Sequence, residues 1–269
     1  MKHTVYSLPC KRPDVHFRAA VAADLHGDAG TTALRLLDGM KPDMILIPGD
    51  LSDYFCTPEG EMTPKVRKGY QNGMAFLRSA AGIAPVYYSL GNHEMGGVHS
   101  GRPWANKNFP DYMPLDKAIR EEILSTGVVL LDDSYVMHGG IVIGGLTSGL
   151  TYRDMIPNLG FLSEFSRLDA YKLLLCHHPE YYPRYLRDTP VDLAVSGHAH
   201  GGQWSFFGQA IFAPGQGLFP RLVRGVHDGR LVISRGMTNS AYVPRIGVPC
   251  EVVELRVGYT GDSVIPDRE

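Results

Sequence analysis

The chain has 269 residues, with 26 Lys and Arg against 28 Asp and Glu, and 11 His. A net charge of −2 gives no strong electrostatic pull toward a nucleic-acid polymer or an anionic membrane. A hydrophobic content of 44% with 20% charged residues excludes a disordered chain. A chain this long buries roughly three quarters of its unfolded surface, so it needs no disulfide or metal to fold.

Short apolar runs rich in Val, Ile and Leu end in Gly, Asp or His. They predict buried strands over Phe17–Ala23, Met44–Pro48, Val86–Leu90, Ile141–Leu146, Leu173–Cys176 and Leu193–Ser196. Helical patterns lie between the early runs, over Ala29–Met40, Lys65–Ala81 and Leu115–Ser125. This alternation is that of an α/β fold. Between them, Met95–Pro114 lacks periodicity and is rich in Gly, Pro and Asn. It reads as a functional loop, with His99, Arg102 and Trp104 as candidates for a substrate lid. After Gly127 the strands crowd together, which predicts a second sheet or an antiparallel extension. Leu231–Ser234 and Glu251–Val257 read as a terminal antiparallel pair. No low-complexity linker divides the chain, so one domain over residues 1–269 is expected.

The cysteines Cys10, Cys56, Cys176 and Cys250 are scattered without CxxC spacing, as for free thiols in a reducing compartment. No apolar run approaches the ~18 residues that span a bilayer. Pro9, Lys11, Arg12 and Pro13 interrupt Met1–Asp14 and leave no signal-peptide core. The expectation is a cytoplasmic protein without a membrane anchor in the chain.

Six of the eleven histidines fall in five short blocks just past predicted strands. The blocks are Asp24-Leu25-His26, Gly49-Asp50-Leu51-Ser52-Asp53, Gly91-Asn92-His93-Glu94, His177-His178, and Gly197-His198-Ala199-His200. Ligands of open α/β sheets gather beyond the carboxyl ends of strands. Side chains two apart on an extended chain share a face, which pairs Asp24 with His26 and His198 with His200. His177 and His178 point opposite ways, so one of them can serve, and Cys176 turns into the core. The donors Asp24, His26, Asp50, Asn92, one of the His177/His178 pair, His198 and His200 are too many for one tetrahedral ion. They suit two ions sharing a carboxylate. Imidazole and carboxylate without thiolate favour Mn, Fe, Zn, Co or Ni.

In this order the blocks resemble the signature of the calcineurin-like metallophosphoesterases: D-x-H, G-D-x-x-D, G-N-H-E, H and G-H-x-H. Gly201-Gly202-Gln203, Ser234-Arg235-Gly236 and Pro244-Arg245-Ile246 resemble a bacterial branch of phosphohydrolases and phosphodiesterases. The resemblance implies a four-layer α/β/β/α sandwich of two mixed sheets. It implies that Asp24, His26 and His200 hold one metal, Asn92, His177 and His198 the other, and Asp50 bridges them. A metal-bridging hydroxide would attack phosphorus in line, with His93 as general acid or phosphate donor and Asp53 orienting it. The cofactors expected are two divalent transition ions (Mn, Fe or Zn), and the partner a small phosphate ester, monoester or diester.

Some positions lie outside this pattern. Glu94 reads as a loop anchor behind the ligands, and Gln203 as a substrate contact or a loop-stabilising bond. Tyr54 stands where protein phosphatases of the superfamily carry a phosphate-gripping arginine. His3, His16, His138 and His227, with Arg221, Arg224, Arg230 and Arg235, read as ordinary structural or surface residues. The alternative activity is pyrophosphate cleavage in a nucleotide-linked lipid precursor, though no amphipathic or apolar membrane-contact element is evident in the sequence. A non-catalytic scaffold is disfavoured by the complete ligand set. A nuclease is disfavoured by the charge and the lack of a capping domain.

Overall fold

Apolar runs of four to six residues are too short for core helices and build two sheets. The computed structural model describes residues 1–52, 62–95, 115–148, 156–213, 216–239 and 244–259. Asp53, Tyr54, Cys56, His99, Arg102 and Trp104 lie outside the described residues, as does the predicted loop beyond Met95.

The elements run in chain order from β1 (Lys2–Leu8) through β2 (Phe17–Val21), α1 (Thr31–Met40), β3 (Met44–Ile47), α2 (Pro64–Ala81) and β4 (Val86–Ser89) to α3 (Lys117–Ser125). The middle comprises β5 (Val129–Leu131), β6 (Ser134–His138), β7 (Ile141–Leu146), α4 (Leu159–Ser166), β8 (Tyr171–Cys176) and β9 (Leu193–Ser196). Then follow β10 (Trp204–Phe206), β11 (Gln209–Ala213), β12 (Gly217–Leu218), β13 (Gly225–His227), β14 (Leu231–Ile233) and β15 (Glu251–Val257). Local chemistry sets the helix starts. Thr63 accepts the Val66 amide ahead of Pro64, and Asp116 accepts the Ala118 and Ile119 amides.

The first sheet has the order β1-β15-β2-β3-β4-β5, and the second β13-β14-β9-β8-β7-β6. Strands β2 to β5 are parallel, as are β14, β9, β8 and β7. Strand alternation then divides the apolar residues between three layers of core. Val21, Leu46 and Tyr87 meet Ile143, Leu173 and Val195 between the sheets. Ile45, Ile47 and Tyr88 face outward against Leu37, Phe76, Leu77 and Ile123 of α1, α2 and α3. Val142, Leu174 and Cys176 pack under Phe161 and Phe165 of α4. The result is the α/β/β/α sandwich expected above. Among the described residues, no helix is long and apolar enough to cross a membrane.

Two expectations are corrected. The runs at Leu231–Ser234 and Glu251–Val257 do not pair with each other. Strand β14 lies in the second sheet, parallel to β9, while β15 lies in the first, between β1 and β2. Strand β14 is apolar throughout and β15 is buried over most of its length, Glu251 and Glu254 included, so each needs two neighbours and adjacency in sequence does not set its pairing. Strand β1 was not predicted, because its first residues are polar and it sits at the sheet edge.

Leu46 is fully buried between the sheets. Leu46→Ala is expected to lower the unfolding free energy by about 2–5 kcal/mol, read as a lower urea midpoint at unchanged slope. A loss below about 1 kcal/mol would show that the inter-sheet core collapses around the cavity. Burial pushes the Cys176 thiol well above its ordinary value. Iodoacetamide at mildly alkaline pH should therefore label Cys176 only after unfolding.

Candidate metal centre

Every block lies just past the carboxyl end of a parallel strand. Asp24 and His26 follow β2, Asp50 follows β3, Asn92 and His93 follow β4, His177 follows β8, and His198 and His200 follow β9. Three of these strands belong to one sheet and two to the other, so the site spans the facing sheet ends.

The turns are tighter than extended strand ends. Asp24, His26, Asp50, His198 and His200 all have left-handed backbones, with φ between 49° and 67°. Such a conformation costs a non-glycine residue of order 1 kcal/mol, and such strain gathers at functional sites. Neighbouring backbone holds it in place. The amides of Asp24, His26 and Gly27 donate to the carbonyls of Gly49, Asp50 and Leu51 at 3.2, 3.0 and 2.8 Å. Gly49 and Gly91 are required by this close approach. A Cβ on Gly49 would lie 2.6 Å from the Gly91 nitrogen, and one on Gly91 would lie 2.2 Å from Asp50 Oδ1.

Six of the seven candidates converge. Ligand atoms of Asp24, His26 and His200 lie within 4.8 Å of one another, as do those of Asp50, His177 and His198. His26, Asp50 and His93 form a third group that joins the two. His198 and His200, which strand alternation pairs on one face, enter different groups. At their left-handed φ of 67° and 49° the two-residue alternation of a strand no longer applies.

Asp50 is the hub. Its Oδ1 accepts the His93 amide at 2.9 Å. Its Oδ2 lies 3.0 Å from His177 Nε2, 3.8 Å from His93 Nε2 and 4.0 Å from His26 Nε2. Burial would raise the Asp50 carboxyl, but His177, His93 and His26 outweigh it and hold the group well below the carboxylate range. Burial also opposes charge on His177, yet Asp50 keeps that ring cationic up to about 9. Burial lowers His26, His198 and His200, leaving them neutral at physiological pH, the form that binds metals.

His177, not His178, reaches Asp50. His177 Nδ1 meets the Pro48 carbonyl at 3.0 Å, which directs Nε2 inward. His178 Nδ1 instead meets Ser148 Oγ at 3.0 Å, and its ring packs on His198 at 4.2 Å between centroids. Burial lowers it to about 3. Asp24 divides its oxygens in the same manner as Asp50: Oδ1 accepts the His198 amide at 3.0 Å. Gln203 is fully buried, and its side-chain amide finds no hydrogen-bond partner among the described residues.

The donor set fits divalent metals. Among the described residues, four buried atoms of the set lack a hydrogen-bond partner: Asp24 Oδ2, His26 Nδ1, Asn92 Oδ1 and His177 Nε2. His177 Nε2 faces Asp50 Oδ2 as an ion pair at 3.0 Å. Orphaned polar atoms this deep are costly unless something charged completes them.

The supporting residues were only partly legible in the sequence. Glu94 is the anchor expected, and its reach exceeds that expectation. It accepts the amides of Asp50, Leu51, Ser52 and Gly91 at 2.9, 2.5, 3.3 and 2.7 Å, and the Tyr88 hydroxyl at 2.8 Å. Burial, with Asp50 adding to it, pushes its carboxyl up to about 7 against these donors. Thr238 and Arg245 went unread. Thr238 Oγ1 donates to the carbonyls of Asp24 and Leu25 at 3.0 and 2.9 Å. Arg245 Nη2 donates to His200 Nδ1 at 2.9 Å, and Nη1 donates to the Arg235 carbonyl at 2.6 Å. Arg235 pairs in turn with the buried Glu251. The Pro-Arg and Ser-Arg-Gly segments were the signal, but only the fold brings them behind His200.

Glu94→Gln leaves one acceptor for five donors and sets an amide N–H₂ against backbone N–H groups. Unfolding free energy should fall by about 3 kcal/mol, measured in urea. Unchanged stability would remove Glu94 as the clamp on the Asp50 turn.

Residues 17–202, more than half of the chain, match the family described as calcineurin-like phosphoesterases. The chain is 26% identical over 268 residues to a protein of Caenorhabditis elegans named as a metallophosphoesterase, covering 92% of this chain and 50% of that relative. It is 26% identical over 251 residues to an uncharacterized metallophosphoesterase of Campylobacter jejuni, covering 91% of this chain and 57% of the other. An uncharacterized metallophosphoesterase of Bacillus subtilis is 22% identical over 211 residues, with shares of 77% and 64%. The chain thus spans between half and two thirds of the length of these relatives. The family match covers all five blocks that converge on Asp50, and the chain belongs to the calcineurin-like phosphoesterases.

Proposed function

We propose that this protein is a dinuclear metal-dependent phosphoesterase that hydrolyses phosphodiesters or phosphomonoesters. The observation that carries the reading is the pair of three-residue groups joined through Asp50, with orphaned donor atoms on Asp24, Asn92 and His177. Asp24, His26 and His200 would hold one ion, and Asn92, His177 and His198 the other, with Asp50 shared. Two divalent ions bound there would acidify a water and offset the charge that develops on the phosphoryl oxygens.

The chain's own residues do the rest. Burial keeps His26, His198 and His200 neutral, so these three meet a metal without first losing a proton. Glu94 fixes the Asp50 turn, and the Pro48 carbonyl fixes the His177 ring. His93 is partly buried beside Asp50 and His26, its ring 4.5 Å from that of His26 between centroids. Its Nε2 is placed to donate to a phosphoryl oxygen or protonate a leaving alkoxide. The complete ligand set disfavours a scaffold that has lost catalysis.

Metal analysis of the purified protein should find up to two transition ions per chain, and full activity without metal would refute the mechanism. Asp50→Asn should lower kcat/KM on a chromogenic phosphodiester by about a thousandfold, or ~4 kcal/mol in the barrier; retained turnover would end its bridging role. His93→Ala should keep the metals and lose about 10²–10⁴ in rate. Loss of metal instead would make His93 a ligand. A panel of monoesters, diesters, cyclic nucleotides and nucleotide-linked pyrophosphates with added Mn would fix the substrate class.

A further inference from the structure

Strands β10, β11 and β12 form a small antiparallel sheet that the phosphoester chemistry does not use. It exposes an apolar surface: Phe207 at 109%, Leu218 at 69%, Phe219 at 64% and Phe206 at 50% of full accessibility. Neither burial nor backbone preference explains these residues. Phe206 pairs with Gln209, so Phe207 and Gly208 make a two-residue turn with φ of 48° and 78°. Such a turn favours Asn-Gly, and a bulky side chain there is an outlier. Phe219 is likewise left-handed, at φ 51°. Its amide donates to the Ile211 carbonyl, two residues (about 7 Å) along the strand from Gln209 at the turn. The exposed aromatics therefore gather at one end of the sheet.

The charge around them is one-sided. From Gly201 to His227 there is no Asp or Glu, although the chain holds 28 acidic residues in 269. Arg221 is exposed two residues after Phe219, and Arg224 donates to the Gly208 carbonyl directly beneath the turn. Aromatic tips backed by arginine, on a stretch of chain without carboxylates, suit the headgroup region of an anionic bilayer. Four exposed side chains fall short of the roughly 20–30 residues a side of a stable protein interface. A lipid surface takes up tips of this size.

The sheet is also joined to the site. The Ser205 amide donates to the Ile246 carbonyl, Trp204 Nε1 donates to the Pro244 carbonyl, and Arg245 between them donates to His200. Six residues separate His200 from Phe206, which bounds their separation to about 20 Å.

We infer that the β10–β12 sheet docks the protein on anionic lipid, with Phe206, Phe207, Leu218 and Phe219 in the interface and Arg221 against the headgroups. Resting on the phosphoester reading, this places the site beside phosphate esters carried by membrane amphiphiles.

The test is co-sedimentation of the whole chain with vesicles of phosphatidylcholine and phosphatidylglycerol, and with phosphatidylcholine alone. The wild type is expected to sediment with the anionic vesicles, less at high salt. Phe207→Asn with Phe219→Ser should lower vesicle affinity about tenfold or more; Asn suits the turn, so the fold survives. Arg221→Glu should weaken anionic binding alone. Equal binding by wild type and variants, or no binding by the wild type, overturns the proposal. So does a dimer in light scattering that the Phe207 variant abolishes, which would make the patch a self-association surface. Wild type and Phe207→Asn should hydrolyse a soluble phosphodiester equally. No turnover by either would refute the phosphoester reading, while sedimentation still decides the docking.

Discussion

A buried carboxylate facing three imidazoles organises this protein. Asp50 Oδ2 lies within 4.0 Å of the Nε2 atoms of His177, His93 and His26, while Oδ1 is tied to the His93 amide. Such a group is stable in the interior only where its backbone is held and its charge is answered. Glu94 supplies the first condition by taking the amides of the Asp50 turn. The surrounding imidazoles supply the second, and divalent ions would do so more completely.

That arrangement explains why two sheets are needed. Pro48 follows β3 of the first sheet, and its carbonyl orients His177 of the second. Asp24 follows β2, and its Oδ1 accepts the amide of His198 from the second sheet. Thr238 and Arg245, in the crossing between β14 and β15, fasten the Asp24 turn and His200. The site is a seam between sheets. Its geometry rests on the inter-sheet core of residues such as Val21, Leu46, Leu173 and Val195. Interiors packed at crystal density transmit small displacements, so core and centre are mechanically one unit.

The local sacrifices are concentrated. Five of the seven candidate ligands carry left-handed backbones, which a chain optimised only for stability would avoid. The β10–β12 sheet shows the same economy at the surface, with Phe207 and Phe219 in left-handed, solvent-facing positions. Strain in the first case serves ligand convergence. In the second it sets aromatic rings outward beside the seam.

By itself the sequence determined the strand–helix alternation, the strand-end position of the ligand blocks and the family. Each rests on local chemistry: apolar runs of strand length, helical patterns between them, and polar donors just past the runs. Glu94 as an anchor was legible for the same reason, since it adjoins Asn92 and His93. Only the tertiary structure put His198 and His200 in left-handed turns, which strand spacing does not convey. It alone separated β14 from β15 into different sheets, brought Arg245 to His200 across 45 positions, and exposed the aromatic end of β10–β12. Long-range pairing and exposure depend on which surfaces remain unburied after the core has closed, and no local pattern carries that information.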